Sequence, residues 1–161
     1  MTHQNQITSI YVASSWRNTM QQATVSVLRA AGFEVYDFRN PPNATGFAWH
    51  QIDLTHSKPL DSKDGTEDLS NTTDYLRALK HPRAIEGFNS DMDALKTSDA
   101  VVLVLPCGKS AHLELGWASG AGKPTCVYTP NETMTPELMY LMCDHIAPSM
   151  MDLLDWLGVK D

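Results

Sequence analysis

The stretch DAVVLVLPCGKSAHLELGWASGAGKPTCVY, residues 99–128, decides the fold. Asp99–Leu105 carries an uninterrupted apolar, β-branched run, the pattern of a strand covered on both faces, as in the interior of a parallel sheet. A short turn through Pro106 and Cys107 leads into a helix over Ser110–Ala121, and Pro124–Tyr128 reads as the next strand. That helix is small and greasy except for one acid, Glu114.

Working outward, the same alternation continues. Ile7–Ala13 is a strand, and Asn18 is expected to cap a helix over Thr19–Ala31, with Val25, Leu28 and Ala31 at helical spacing and Gly32 ending it. Phe33–Phe38 is a second strand. Residues 39–71 are rich in Pro, Asn, Asp, Ser, Thr and Gly and read as a long loop, a lid or a segment without fixed structure. Helices are predicted over Thr73–Lys80, Pro82–Thr97, Pro136–Cys143 and Ser149–Leu157, with a short fifth strand at His145–Ala147.

Strands alternating with helices make an open parallel sheet between two helical layers. The strand order expected is 2-1-3-4(-5), in one domain over residues 1–161. Ligands of such sheets bind at the carboxyl ends of the strands, where the winding reverses. Here that crevice lies between strands one and three, walled by SSWRN (14–18) and PCGKSAHLE (106–114).

A 161-residue chain that is 42% hydrophobic and 19% charged is ordinary globular material. Its net charge of −7 argues against a nucleic-acid polymer, whose binding draws on lysine and arginine. A small nucleotide needs only local donors and stays open. No apolar run nears the roughly 20 residues that span a bilayer. MTHQNQITSIYVASS lacks the charged and apolar regions of a signal peptide, so a cytoplasmic protein without membrane contact is expected. Cys107, Cys126 and Cys143 are odd in number and fit a reducing compartment. The six histidines lack paired ligand spacing, and no metal is expected.

GKS at 108–110 invites a phosphate-loop reading, but the glycine that pattern requires falls on Leu103. What remains is a helix amino terminus that favours an anion, with Ser110 as N-cap, as anion contact, or as both. Glu114 shares a helical face with Ala111, Leu115, Ala118 and Ala121, where a carboxylate is costly unless paired or used. Asp91 aligns with Leu95 and Ser98 and is expected to face the core side, whereas Asp93 is expected in solvent. Past strand one, Ser14, Ser15 and Arg17 offer donors. Trp16 either stacks on a base or plugs the end of the sheet. In GFAWHQID (46–53), Trp49 and His50 with Phe47 either cover a flat ligand or anchor their loop.

Three pieces in order, YVASSWRN, DMDALKTSD (91–99) and ELGWA (114–118) followed by GKP, resemble the nucleoside 2-deoxyribosyltransferase family and its nucleotide N-glycosidase relatives. The resemblance covers roughly residues 7–25 and 88–130. It implies a flavodoxin-like fold, Glu114 as catalytic nucleophile and Asp91 as the catalytic acid that assists the leaving base. It also implies a small nucleoside or nucleotide substrate, no cofactor, and a homodimer or higher homo-oligomer. Transferases of the family tend to carry a carboxylate six residues before the nucleophile, where this chain has Gly108. Gly108, Lys109 and Ser110 look more like the turn of the nucleotide hydrolases, which holds a 5′-phosphate. The first turn departs from the hydrolases' usual SIRG. Tyr140, Asp144 and Ser149 are candidates for completing a neighbouring subunit's site.

The expectation is therefore an enzyme that cleaves or exchanges the N-glycosidic bond of a (deoxy)nucleoside or nucleoside monophosphate through a covalent glycosyl-glutamate. Ser14, Ser15, Trp16, Arg17, Trp49, His50, Gly108, Lys109 and Ser110 line its substrate site. The competing readings are a TIR-like NAD glycohydrolase and a nucleotide-binding sensor or inhibitor without turnover.

Overall fold

Burial follows from the apolar run: every residue of β3, Ala100–Val104, is fully buried, because helices cover both faces of the strand. The computed structural model describes residues 6–52, 72–130 and 135–160. β3 is the centre of a five-stranded parallel sheet of order β2-β1-β3-β4-β5. Its other strands are β1 (Ser9–Ala13), β2 (Glu34–Asp37), β4 (Thr125–Tyr128) and β5 (His145–Ala147). Ile10 pairs with Ala100 and Val12 with Val102, and Val102 in turn pairs with Cys126. The predicted α/β/α architecture and strand order are both present.

Alternation along the strands assigns the two faces. Ile10, Val12, Val102, Val104, Cys126 and Tyr128 pack with Val25 and Leu28 of α1 (Gln21–Ala30) and Leu153 and Leu157 in and after α5 (Met150–Trp156). The intervening side chains point to the opposite face. There α4 (Lys109–Gly120) lies across β3, β1 and β4 and buries Ala111, Leu115 and Ala118. Small side chains let this helix come close to the sheet. Ala121, expected on the same stripe, is instead the exposed C-cap, because α4 ends at Gly120. Pro136–Cys143 is not an α-helix but a 3-10 turn over Leu138–Met142, too short for a second full α-turn.

Contacts divide the chain into two units, Met1–Asp37 with Ala94–Asp161, and Phe38–Asp93. The second holds a 3-10 turn (Trp49–Gln51), α2 (Thr72–Leu79) and α3 (Pro82–Thr97) up to Asp93. Ile52, Ala78 and Ala84 form its small core, with Phe47 and Trp49 against them. Phe47 sits so close to Gly87 that an added Cβ would lie 2.7 Å from the Phe47 Cβ. Arg83 secures the same loop, its Nη2 donating to the Thr45 carbonyl at 2.7 Å and the Gly46 carbonyl at 3.0 Å. Residues 53–71 of the predicted lid lie outside the described residues. No described helix is long and apolar enough to cross a membrane.

At the amino end of the sheet, Asp99 ties β1 to β3. Its Oδ2 accepts from the backbone N–H and hydroxyl of both Thr8 and Ser9, at 2.8 to 3.0 Å. Hydrogen bonds from Thr8, then Ser9, lower its pKa from the ordinary 3.8 to about 2. A depressed carboxylate stabilises the fold fully above its unfolded pKa and loses that contribution as pH falls through the folded one. Asp99→Asn should therefore lower the urea midpoint at pH 7, by about 1 kcal/mol after discounting for solvent screening. The gap from wild type should close between pH 4 and pH 2. A gap independent of pH would mean that the carboxylate charge does not stabilise this join.

Candidate active site

The carboxyl ends of β1 and β3 part where the order reverses, and the strand-end carbonyls there need partners. Ser14 Oγ donates to the Val104 carbonyl at 2.8 Å. Asn18 Nδ2 donates to the same carbonyl at 3.1 Å and to the Pro106 carbonyl at 3.0 Å, while its Oδ1 accepts from Met20 N at 2.7 Å. Asn18 is only 3% exposed. It is therefore not the cap of α1, which starts two residues after Met20's neighbour Thr19 and has no side-chain cap. Asn18 is a buried clamp that holds one wall of the crevice to the other. The Leu105–Pro106 peptide between its two acceptors is cis.

On the first wall, Ser14 commits its proton to Val104, and Ser15 Oγ accepts from Arg17 N at 3.2 Å. Arg17 is exposed, and Trp16 is half in solvent. On the second wall, Gly108 is the N-cap of α4, so Ser110 lies within the first turn rather than capping it. Gly108, Lys109 and Ser110 are all exposed. Gly108 has φ −94°, open to any residue, and a Cβ there would meet no protein atom within 4 Å.

Glu114 follows in the second turn, half-buried beside the stripe of Ala111, Leu115 and Ala118. Its carboxylate lies near Cys107, whose thiol is pushed up to about 12 by burial first and by Glu114 second. His112 also approaches this thiol, Nδ1 to Sγ 3.6 Å. That nitrogen is 2.8 Å from the Gly108 carbonyl, which only accepts, so Nδ1 carries the hydrogen. With its hydrogen there, Nδ1 cannot take the thiol proton.

Tyr140, Asp144 and Ser149 each make a hydrogen bond within the chain. Tyr140 Oη is 2.8 Å from His112 Nε2. Asp144 Oδ2 accepts from Thr125 N at 2.8 Å. Ser149 caps α5, accepting from Asp152 N at 3.1 Å.

The second unit carries the remaining predicted residues. Asp91 is half-buried on α3 and Asp93 is exposed, as their helical positions imply. Trp49 meets Phe47 edge-on at 5.1 Å between ring centroids and Tyr75 at 6.1 Å, so it anchors its loop. His50 is exposed. The bonds that Asn18, Cys107, His112 and Tyr140 make here were not assigned by motif reasoning, which named them only as part of the crevice walls, for Asn18 also as a helix cap, or, for Tyr140, as a candidate for a neighbouring subunit's site. A sequence signal existed for one of them, since His112 stands four residues after Gly108 and hence one helical turn above it. No group of three or more His, Cys, Asp or Glu side chains suited to a metal occurs among the described residues.

No protein-family model and no curated protein matches the chain. Solved structures do. A 2-deoxyribosyltransferase from the psychrotolerant bacterium Bacillus psychrosaccharolyticus aligns over 90% of this chain and 89% of its own, with TM-score 0.53 and 18% identity. A conserved protein from Enterococcus faecalis V583 aligns over 94% and 98%, with TM-score 0.56 and 14% identity. A CMP N-glycosidase from Clostridium botulinum aligns over 93% and 98%, with TM-score 0.46 and 15% identity. At these identities the likeness is one of fold. The fold of the deoxyribosyltransferase is the one that the motif order resembles.

The Asn18 clamp makes a specific prediction. Asn18→Asp should destabilise more than Asn18→Ala, because a carboxylate would face two carbonyl oxygens with no hydrogen to offer. The cost should be roughly 2–4 kcal/mol against 1–3 for alanine, read from denaturant midpoints at pH 7. Equal costs would show that the two carbonyl contacts are not what Asn18 supplies.

Proposed function

We propose that this protein cleaves or exchanges the N-glycosidic bond of a (deoxy)nucleoside or nucleoside monophosphate. The observation that carries the reading is the position of Glu114. It is half-buried in the second turn of α4, whose first turn opens on the crevice between β1 and β3, and it is the acid beside a thiol that stays protonated. The motif resemblance and the shared deoxyribosyltransferase fold support it.

In the proposed mechanism the Glu114 carboxylate attacks the anomeric carbon as the carbon–nitrogen bond breaks. The bond electrons go to the departing base, which takes a proton from the Asp91 carboxyl. The glycosyl ester on Glu114 is then opened by water, whose proton passes to the Asp91 carboxylate, leaving free sugar. A second nucleobase in place of water gives exchange. Electrons balance in both steps without metal or redox cofactor. Exposed Gly108–Ser110 at the amino end of α4, with Arg17 on the facing turn, suits the anionic end of a phosphorylated substrate.

We also propose self-association and a cytoplasmic location, the latter on the three free thiols. Leu113 (75% exposed) and Trp117 lie one turn apart on the outer side of α4. The Leu138–Met142 turn, tied to that helix through Ser119 Oγ and the Met142 carbonyl at 2.6 Å, adds exposed Leu138 and Leu141. A second copy of the chain is the occupant proposed for this apolar face. Leu141→Glu should convert a dimer or larger species to monomer in light scattering, and a monomeric wild type would refute the proposal.

The functional test is base release from nucleosides, nucleoside monophosphates and NAD, followed by chromatography. Release by wild type, with Glu114→Gln at least about 10³-fold slower and Asp91→Asn about 10²-fold slower, is expected. Gly108→Ala should fold normally yet raise KM for monophosphates more than for nucleosides, since its methyl meets substrate rather than protein. Release from NAD alone would favour the TIR-like reading. Tight nucleotide binding without release would make the protein a sensor.

A further inference from the structure

His112 joins two separate parts of the first unit. On one side is the Cys107–Ser110 turn that opens α4, and on the other is the 3-10 turn Leu138–Met142. Because the Gly108 carbonyl can only accept, Nδ1 bears the hydrogen, and Nε2 of the neutral ring presents a lone pair. Tyr140 Oη, 2.8 Å away, donates its hydrogen to that lone pair. The two rings also stack, with 10° between planes and 5.8 Å between centroids. Tyr140 is only 6% exposed, and its hydroxyl is pushed up to about 12 by burial first and then by Cys107, Glu137 and Cys143, so it stays a donor.

The relay therefore runs in one direction, from Tyr140 O–H to Nε2 and from Nδ1–H to the Gly108 carbonyl. Gly108 has open space around it and no side chain of its own to hold it. The imidazole adds a side-chain restraint to that of the Asn18 clamp, at the base of the helix that carries Glu114.

We propose that His112, oriented by Tyr140, is a positioning residue: it fixes the Gly108 carbonyl, and with it the entrance turn of α4 and the aim of Glu114. The proposal rests on the glycosidic reading for its effect on rate, but its geometry can be tested without substrate. A displacement of about 1 Å at a reacting group lowers rates by up to about a hundredfold. Partial loosening of a single turn predicts a smaller effect.

Four variants separate the possibilities. His112→Ala should lower kcat about tenfold, with KM within about twofold of wild type. Tyr140→Phe and His112→Asn should each lower it severalfold. The asparagine retains an N–H for the Gly108 carbonyl, so it should recover part of what alanine loses. The double variant His112→Asn with Tyr140→Phe should be no worse than the worse single, because both remove the same bond. In the absence of substrate, nitrogen-15 NMR of the wild type should show the Nδ1–H tautomer at His112, giving way to a tautomer mixture in Tyr140→Phe.

Unchanged kcat in both His112→Ala and Tyr140→Phe, additive losses in the double variant, or an Nε2–H tautomer in wild type would each overturn the proposal. A loss of kcat matching the unfolded fraction by circular dichroism would overturn it too. If wild type releases base from no substrate, the glycosidic reading fails by itself. The tautomer then decides the relay: Nδ1–H in wild type, lost in Tyr140→Phe, upholds it.

Discussion

The side-chain amide of Asn18 settles where the two walls of the crevice stand. Parallel strands that end side by side leave carbonyls pointing past the sheet, and buried carbonyls need donors. Asn18 gives its two N–H groups to Val104 and Pro106 across the gap between β3 and the turn after β1. Ser14 adds a second bond to Val104. The turns at 14–18 and 106–110 are thereby fixed to each other, and α4 begins from a held position. At the other end of the same strand pair, Asp99 gathers Thr8 and Ser9. The central pair is fastened at both ends, and ligand chemistry is left to the carboxyl end.

Electrostatics at that end favour one acid. Glu114 is half-buried, and its field, with burial, keeps the neighbouring Cys107 thiol protonated. The His112 ring near that thiol directs its Nδ1–H to the Gly108 carbonyl. A cysteine and a histidine in contact would suggest a thiol nucleophile by composition alone, but the Nδ1–H tautomer that the Gly108 carbonyl favours leaves no lone pair on that nitrogen for the thiol proton. The same imidazole instead links the entrance of α4 to Tyr140.

Apolar periodicity and turn chemistry were enough to read the alternating elements, the five-stranded order, the half-buried Glu114 and Asp91 and the exposed Asp93. Those features follow from local pattern, because the period of an apolar run reports which faces are covered. Reading failed where a polar side chain had a partner close along the chain and others far from it. Asn18 looked like a helix cap, yet its amide bonds carbonyls at positions 104 and 106. Ser110 looked like the start of α4, yet Gly108 takes that place and leaves the serine exposed. Trp49 was open between ligand cover and anchor, and its contacts with Phe47 and Tyr75 make it an anchor.

From residue order alone came the strands, the helices, the reversal between strands one and three, and the acid on the small-residue helix that follows it. Each is encoded by neighbours within a turn or a pleat. The partners of Asn18, the direction of the His112 hydrogen bonds and the hydrogen bonds of Tyr140, Asp144 and Ser149 within the chain had to await tertiary structure. The physical reason is that a hydrogen-bonding side chain has no period. Its partner is whichever unsatisfied group the fold leaves nearest, and that group stands here as many as 91 residues away.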